Sequence, residues 1–128
     1  YGPVAAHLAN GLEPTSVGRE IAVSELVSLA HAPLSVTETG VAGQVIYVDR
    51  FGNLITNIPN RYVAEGKHCY LGGQQLCSVG QTYSSARSGE PASFAGSHGC
   101  LEICIFQGNA SKALNAERRT PVSLESAT

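Results

Sequence analysis

The segment Val48-Asp-Arg-Phe-Gly-Asn-Leu54 carries an acid, an aromatic ring and an amide at alternate positions. In an extended strand alternate side chains point to the same face, so Asp49, Phe51 and Asn53 would lie together. On one face, the carboxylate could bind an ammonium group, the ring could stack, and the amide could pair with the edge of a base. The alternative is a polar turn in which Asp49 and Asn53 bond to local backbone groups, and the residue types alone favour it slightly.

A second candidate is the segment Gly96-Ser-His-Gly99, in which two glycines flank a hydroxyl and an imidazole. The backbone N–H groups of such a loop, together with the Ser97 hydroxyl, could bind a carboxylate. The alternative is an ordinary turn between two strands, which the residues alone favour. A catalytic pair of Ser97 and His98 is not expected, because neighbouring residues rarely place a nucleophile and its base correctly.

Two further features leave alternatives open. The segment Gln107-Gly-Asn-Ala110 fits a turn followed by a helix N-cap at Asn109, although a ligand could meet the same backbone groups. Glu102 lies in the middle of an apolar strand, opposite its apolar face. Solvation, pairing with an arginine and a role as general base are all compatible with that position.

The composition argues against several classes of protein. The chain has 128 residues, of which 43% are hydrophobic and 14% charged, with a formal net charge of -2. The largest basic cluster is the pair Arg118-Arg119, so nucleic-acid binding is not expected. No apolar run reaches the roughly 18 residues that span a bilayer, so a membrane segment is not expected. The remaining histidines are His7, His31 and His68, and because they are scattered along the chain no metal site is expected.

The cysteines do not have the CxxC spacing of zinc or redox sites. They are Cys69, Cys77, Cys100 and Cys104. The favoured interpretation is that they are small buried apolar residues in a reducing compartment, which predicts a cytoplasmic protein. The alternative is a disulfide between Cys69 and Cys77 or between Cys100 and Cys104.

The elements that would position these residues are mostly strands. Residues 3–10 predict a short helix, with Pro3 at its start and Gly11 at its end. Residues 18–31 are ambiguous between helix and strand. Strands are predicted over residues 44–49, 54–58, 68–71, 75–79, 81–86, 92–95 and 101–106, followed by a helical turn over residues 109–114.

These elements predict a mainly β fold, an antiparallel barrel or sandwich with a short N-terminal helix. Residues 1–39 are expected to be the end of a preceding domain and a linker, and residues 40–116 the antiparallel β domain. Residues 117–128 are expected to be a fraying polar tail.

Taken together, the motifs resemble one family over nearly the whole chain. They are Gly2-Pro-Val-Ala-Ala-His-Leu-Ala-Asn-Gly11, Ile46-Tyr-Val-Asp-Arg-Phe-Gly-Asn-Leu-Ile-Thr-Asn-Ile58, Ser97-His-Gly-Cys-Leu-Glu-Ile103 and Gln107-Gly-Asn-Ala110. In order and spacing they resemble the C-terminal domain of the adenosine-forming S-adenosylmethionine hydrolases, which are related to fluorinase and chlorinase. The stretch Asp49-Arg-Phe-Gly-Asn-Leu-Ile-Thr-Asn57 is the most specific of the four.

The resemblance implies an enzyme in which water attacks the ribose 5′ carbon of S-adenosylmethionine and methionine leaves. It implies a homotrimer, with substrate bound between the N-terminal domain of one subunit and the C-terminal domain of its neighbour. The groups that activate water would then belong to the N-terminal domain, so no catalytic residue is expected in this chain. The chain by itself is expected to be inactive.

The resemblance also implies a role for each candidate residue. Asp49 and Ser97 would hold the amino and carboxylate groups of methionine, and Phe51 would shape the pocket wall. The Asn53 side chain and the backbone of residues 109 and 110 would bind the two edges of adenine, which implies Asn109 and Ala110. Tyr83 matches less well the aromatic residue that stacks on adenine.

Two positions depart from the family pattern. His98 stands where relatives often have another residue, an arginine in fluorinase, which predicts a weaker or pH-dependent contact with the carboxylate. Gly96 replaces a frequent asparagine, which predicts a looser turn. A halide-using enzyme, an adenosyl-binding module without chemistry and a purely structural trimerisation barrel are the alternative functions.

Overall fold

The structure is a computed structural model that describes residues 1–27, 33–80 and 87–126. The chain divides into two compact units, residues 1–30 and residues 31–128. The strand predicted over residues 81–86 lies outside the described residues, and so do Tyr83 and His31. Among the described residues, no helix has the length and apolar character needed to cross a membrane.

The first unit contains one α-helix, α1 (Gly2–Ala9), which confirms the predicted N-terminal helix. Asn10 ends it, with its side-chain Nδ2 donating to the Ala6 carbonyl at 2.8 Å. Short 3-10 turns follow at Pro14–Ser16 and Val23–Glu25, so the described part of the ambiguous segment is neither a long helix nor a strand. Every residue from 1 to 27 is exposed, so this segment has no core of its own.

The second unit is an antiparallel β fold, as the sequence predicts. Its strands are β1 (Ser35–Val36), β2 (Gly40–Val48), β3 (Leu54–Pro59), β4 (His68–Leu71), β5 (Gln74–Ser78), β6 (Pro91–Ala95), β7 (Cys100–Ile105) and β8 (Pro121–Glu125). Their order is β5-β4-β8-β2-β3-β7-β6, with β1 paired to β2. The short helix α2 (Ala110–Ala113) follows β7, which confirms the predicted helical turn.

The two end strands of this sheet approach each other and nearly close a barrel. Val79, just after β5, bridges to Ser93 of β6, and the Gly80 N–H donates to the Ser93 carbonyl at 2.8 Å. The core behind the sheet is apolar, and its largest fully buried residues are Leu54, Ile58, Leu101, Ile103, Leu124, Val45 and Val122. The predicted apolar face of β7 is confirmed, because Leu101, Ile103 and Ile105 are all buried. On the opposite face Glu102 is partly buried and Cys104 is fully buried.

The prediction that residues 117–128 form a fraying tail is wrong. Residues 121–125 form β8, which pairs with β2 on one side and with β4 on the other. Val122 and Leu124 are buried, at 2% and 0% exposure. In the sequence this short alternation of apolar residues is flanked by polar residues, so it was interpreted as part of a tail. Its assignment as a strand depends on the two strands that pair with it. Pro121 is tolerated because it occupies the first position of the strand.

Candidate functional site

Residues 49–53, here called the acidic turn, connect β2 to β3 and are closed by the Asp49 side chain. Its Oδ1 accepts from the backbone N–H groups of Phe51 at 2.8 Å and Asn53 at 2.9 Å. Its Oδ2 accepts from Asn53 Nδ2 at 3.0 Å. Two backbone bonds complete the turn, from Asp49 N–H to the Asn53 carbonyl and from Gly52 N–H to the Asp49 carbonyl, both 3.0 Å.

The local alternative considered for Asp49 and Asn53 is therefore present in the structure. It does not use up the carboxylate, since an ionised carboxylate offers about four acceptor positions and three are engaged here. Phe51 is 61% exposed, and the Arg50 guanidinium carbon lies 4.6 Å from the centroid of its ring. The turn thus holds Asp49 in a fixed orientation while it presents an aromatic ring to solvent.

The acidic turn packs against the loop that leads into α2. The Ser111 N–H donates to the Gly52 carbonyl at 2.9 Å. A Cβ atom at position 52 would collide with the Asn109 side chain, and Gly52 has a φ of +90°, so glycine is required there for two reasons. Asn109 is held in turn, because its Oδ1 caps α2 by accepting from the Lys112 N–H at 2.8 Å.

An open cleft lies where these two segments meet. Its volume is about 440 Å³, and it is lined by Phe51, Asn53, Gln107 and Gly108. Gln107 has a φ of +57°, which a non-glycine residue adopts at some cost. The aromatic ring, the amides and exposed backbone around this cleft are groups suited to a planar heterocycle with donors and acceptors at its edge.

Residues 96–99, here called the Ser-His turn, connect β6 to β7. The Gly99 N–H donates to the Gly96 carbonyl at 3.1 Å. Asn60, just after β3, donates its Nδ2 to the same carbonyl at 2.9 Å and its backbone N–H to the Gly99 carbonyl at 2.9 Å. Ser97 and His98 are both exposed. The acidic turn lies at the start of β3 and the Ser-His turn beside its end, so the two turns flank this strand.

Glu102 lies between the two turns. It pairs with Ile55 of β3, and its Oε2 would lie 2.9 Å from a Cβ atom at position 96. Burial raises the pKa of the Glu102 carboxyl, the nearby Asp49 charge raises it further, and His98 opposes both effects. Asp49 and His98, which belong to different turns, are therefore both close enough to influence one carboxyl group.

The structure thus brings together most of the predicted site residues. Asp49, Phe51 and Asn53 lie on one turn, and Asn109 lies directly against it. Ala110 is buried as the first residue of α2. Ser97 and His98 stand on the second turn, and the His98 charge acts on Glu102, as does the charge of Asp49. Their roles toward a ligand stay predictions, and Tyr83 lies outside the described residues.

Three residues near the site, Glu102, Gln107 and Gly108, were singled out in the sequence but were not assigned a binding role there. For Glu102 a signal existed, since it is the one charged residue of β7. For Gln107 and Gly108 the only signal was the loop itself, because their place beside Phe51 depends on contacts between segments far apart in the chain. Among the described residues, no group of three His, Cys, Asp or Glu residues could hold a metal ion.

Comparison with known proteins identifies relatives of this chain. A curated protein of Thermus thermophilus named (R)-S-adenosyl-L-methionine hydrolase is 39% identical over 124 residues, which are 97% of this chain and 46% of that protein. The chain therefore spans about half the length of this relative.

Two solved structures share the fold. One is a conserved hypothetical protein from Thermus thermophilus, with a TM-score of 0.73 and 38% identity over 95% of this chain and 49% of that one. The other is an uncharacterised conserved protein from Thermotoga maritima, with a TM-score of 0.75 and 29% identity over the same shares, 95% and 49%.

A family profile matches most of the second unit. It is that of the SAM hydroxide adenosyltransferase C-terminal domain, and it covers residues 43–123, which include both turns and the start of α2. The chain belongs to the SAM hydroxide adenosyltransferase C-terminal domain family.

Proposed function

We propose that this chain is the substrate-binding half of an enzyme that cleaves S-adenosylmethionine with water to adenosine and methionine. The observation that carries the proposal is the locked contact between the acidic turn and the Asn109 loop, which leaves Phe51 and Asn53 beside an open cleft. Membership of the family and the name of the Thermus relative support the choice of substrate.

In this proposal the adenine occupies the cleft. Asn53 bonds to one edge of the base, the backbone at Asn109 and Ala110 bonds to the other, and Phe51 forms a wall. The resemblance to the family assigns the stacking position on adenine to Tyr83. An amide is suited to this role because it offers a donor and an acceptor together.

The methionine part extends along the outer face of β3 toward the Ser-His turn. Asp49 binds the ammonium group with the acceptor positions that its own turn leaves open, and Ser97 and His98 bind the carboxylate. Because the ammonium and the carboxylate of methionine share one carbon atom, the proposal requires the two turns to converge on one point, and the influence of both Asp49 and His98 on Glu102 supports that closeness. Because the acidic turn is held in place before the ligand arrives, binding costs little ordering there.

The remaining groups belong to other parts of the protein. An N-terminal domain, of the same or a neighbouring subunit, supplies the residues that activate water, and the assembly is a homotrimer located in the cytoplasm. The chain contributes positioning, which by itself can lower a reaction barrier by several kcal/mol. No cofactor takes part, since S-adenosylmethionine is the substrate.

The proposal is tested by incubating S-adenosylmethionine with this chain alone, with a separately expressed N-terminal half, and with the two mixed. Adenosine is quantified by chromatography. Adenosine from the mixture alone is the expected result. Binding without turnover in the mixture would indicate an adenosyl-binding module, and adenosine from this chain alone would place the catalytic groups here, with Glu102 and His98 the first to substitute.

A further inference from the structure

The core of the barrel contains a pair of thiols that the proposed function does not use. Cys69 of β4 and Cys77 of β5 are directly opposite each other in the antiparallel ladder. Both are free thiols; Cys69 is fully buried and Cys77 is partly exposed. We propose that this pair is a redox modification site, at which hydrogen peroxide converts the two thiols to a reversible disulfide.

The strand register provides the required geometry. Residues directly opposite each other in an antiparallel pair have Cα atoms about 4.5 or 5.5 Å apart. Disulfides need a Cα separation of about 4.4 to 6.8 Å, so the bridge can form without a change in register. The two thiols are also close enough to act on each other, since their interaction raises the pKa of Cys69 and lowers the pKa of Cys77.

A buried hydroxyl completes the cluster. Ser93 of β6 is 0% exposed, and its Oγ lies 3.4 Å from Cys77 Sγ. The interaction with Cys69 lowers the pKa of Cys77, burial opposes that effect, and Ser93 adds to it. The interaction with Cys77 and burial both raise the pKa of Cys69. Cys77 is therefore the thiol that ionises first, and it is also the more exposed of the two.

The chemistry divides between the two residues. The Cys77 thiolate attacks one oxygen of hydrogen peroxide, the O–O bond breaks, and hydroxide leaves and takes up the proton that Cys77 released. Cys77 is then a sulfenic acid. The Cys69 sulfur attacks it, the S–S bond forms, the S–O bond breaks, and the oxygen leaves as water with the Cys69 proton. The pair loses two electrons, and peroxide is reduced to two molecules of water.

The other cysteines serve as internal controls. Cys104 is paired with Ala92 and follows Ile103 directly in β7. Because Ile103 faces the core opposite Ser93 and side chains alternate along a strand, the Cys104 side chain points to the other face of the sheet. Burial raises the pKa of Cys104 to about 11, which disfavours its thiolate. Cys100 lies at the start of β7, beside the Ser-His turn.

The two cysteine pairs lie on different tryptic peptides, so the oxidation of each pair can be measured separately. Trypsin cleaves after Lys67, Arg87 and Lys112, which puts Cys69 and Cys77 in one peptide and Cys100 and Cys104 in the next. The native protein is treated with hydrogen peroxide, then unfolded in denaturant and blocked with an alkylating reagent so that buried thiols also react. It is digested without reductant and analysed by mass spectrometry. A second sample is reduced with a thiol after oxidation.

The expected product is the peptide of residues 68–87, lighter by two hydrogen atoms and unalkylated, and restored by the thiol. Residues 88–112 should stay doubly alkylated. In Cys69→Ser, Cys77 should stop at sulfenic acid and be trapped by dimedone, and Ser93→Ala should slow the oxidation of the pair without redirecting it. Three results would each overturn the proposal. The first is faster oxidation of Cys100 or Cys104, and the second is a disulfide between the two peptides. The third is that the 68–87 peptide stays reduced in the native protein while it oxidises in the unfolded chain.

Discussion

The two turns that flank β3 are built in different ways. The acidic turn is closed by its own carboxylate and packed against the Asn109 loop, with glycine required at position 52. The Ser-His turn is closed by backbone bonds alone, from the Gly99 N–H to the Gly96 carbonyl and from the Gly96 N–H to the Cys100 carbonyl, is supported from outside by Asn60, and exposes the side chains of Ser97 and His98. In the first turn the atoms that we propose bind the substrate also hold the turn together, whereas in the second the proposed binding groups can change with little effect on folding.

The largest expected difference between the turns is at their glycines. Gly52→Ala would place a Cβ against Asn109 at a φ of +90°, so the strain of the backbone and the collision should together cost about 3 kcal/mol of the free energy of unfolding. Gly99 has a φ of +82° but open space around a Cβ, so Gly99→Ala should cost only about 1 kcal/mol. Denaturant unfolding of both variants measures the difference, and equal losses would show that the acidic turn is not packed as described.

The acidic side chain gives the next largest effect. Asp49→Ala removes the acceptor of two backbone N–H groups and one amide, and should cost about 1 to 3 kcal/mol of stability. Asp49→Asn keeps a carbonyl oxygen for the two N–H groups and should lose much less. Ser97→Ala, on the exposed turn, should change stability by no more than about 0.5 kcal/mol. Thermal unfolding compares the three variants, and a loss in Ser97→Ala as large as that in Asp49→Ala would remove the contrast between the turns.

The smallest effect is expected at Glu102, between the turns. Its pKa is raised in the folded protein, so the folded state favours the protonated form, and that contribution to stability is lost as pH rises through the folded-state pKa. Glu102→Gln should therefore stabilise the protein at neutral pH, by less than about 1 kcal/mol because the group is partly solvated. Near about pH 4, the ordinary value for glutamate, the gain should vanish. A gain that is the same at both pH values would mean that the charge of Glu102 is not its cause.

Local pattern in the sequence was enough to predict most of the fold. The alternation in β7 and the glycines between β4 and β5 depend on neighbouring residues only, and these elements were predicted correctly. The strand β8 was missed because its two partners, β2 and β4, lie about 80 and 50 residues earlier in the chain. A short apolar alternation becomes a strand only when such partners exist.

In the candidate site, too, the local features could be predicted from the sequence and the long-range contacts could not. Asp49, Phe51 and Asn53 could be selected from their types and spacing, and the turn they form was one of the two alternatives considered. The contact between Gly52 and Asn109 could not be predicted, because it joins two loops whose closeness depends on the whole sheet. For the same reason the influence of Asp49 and His98 on Glu102 is visible only in three dimensions.

The most direct test of the central claim is the affinity of the whole protein for S-adenosylmethionine, measured by calorimetry for the native protein, for Asp49→Asn and for Glu38→Gln. Asp49→Asn keeps an acceptor for the two backbone bonds of the turn, removes the charge and removes the acceptor of the Asn53 amide, while Glu38 is an exposed acid in the connection between β1 and β2. Loss of a charged hydrogen bond should weaken binding of Asp49→Asn about 10- to 100-fold, with Glu38→Gln unchanged. Native affinity in Asp49→Asn would contradict the assignment of the acidic turn to the substrate.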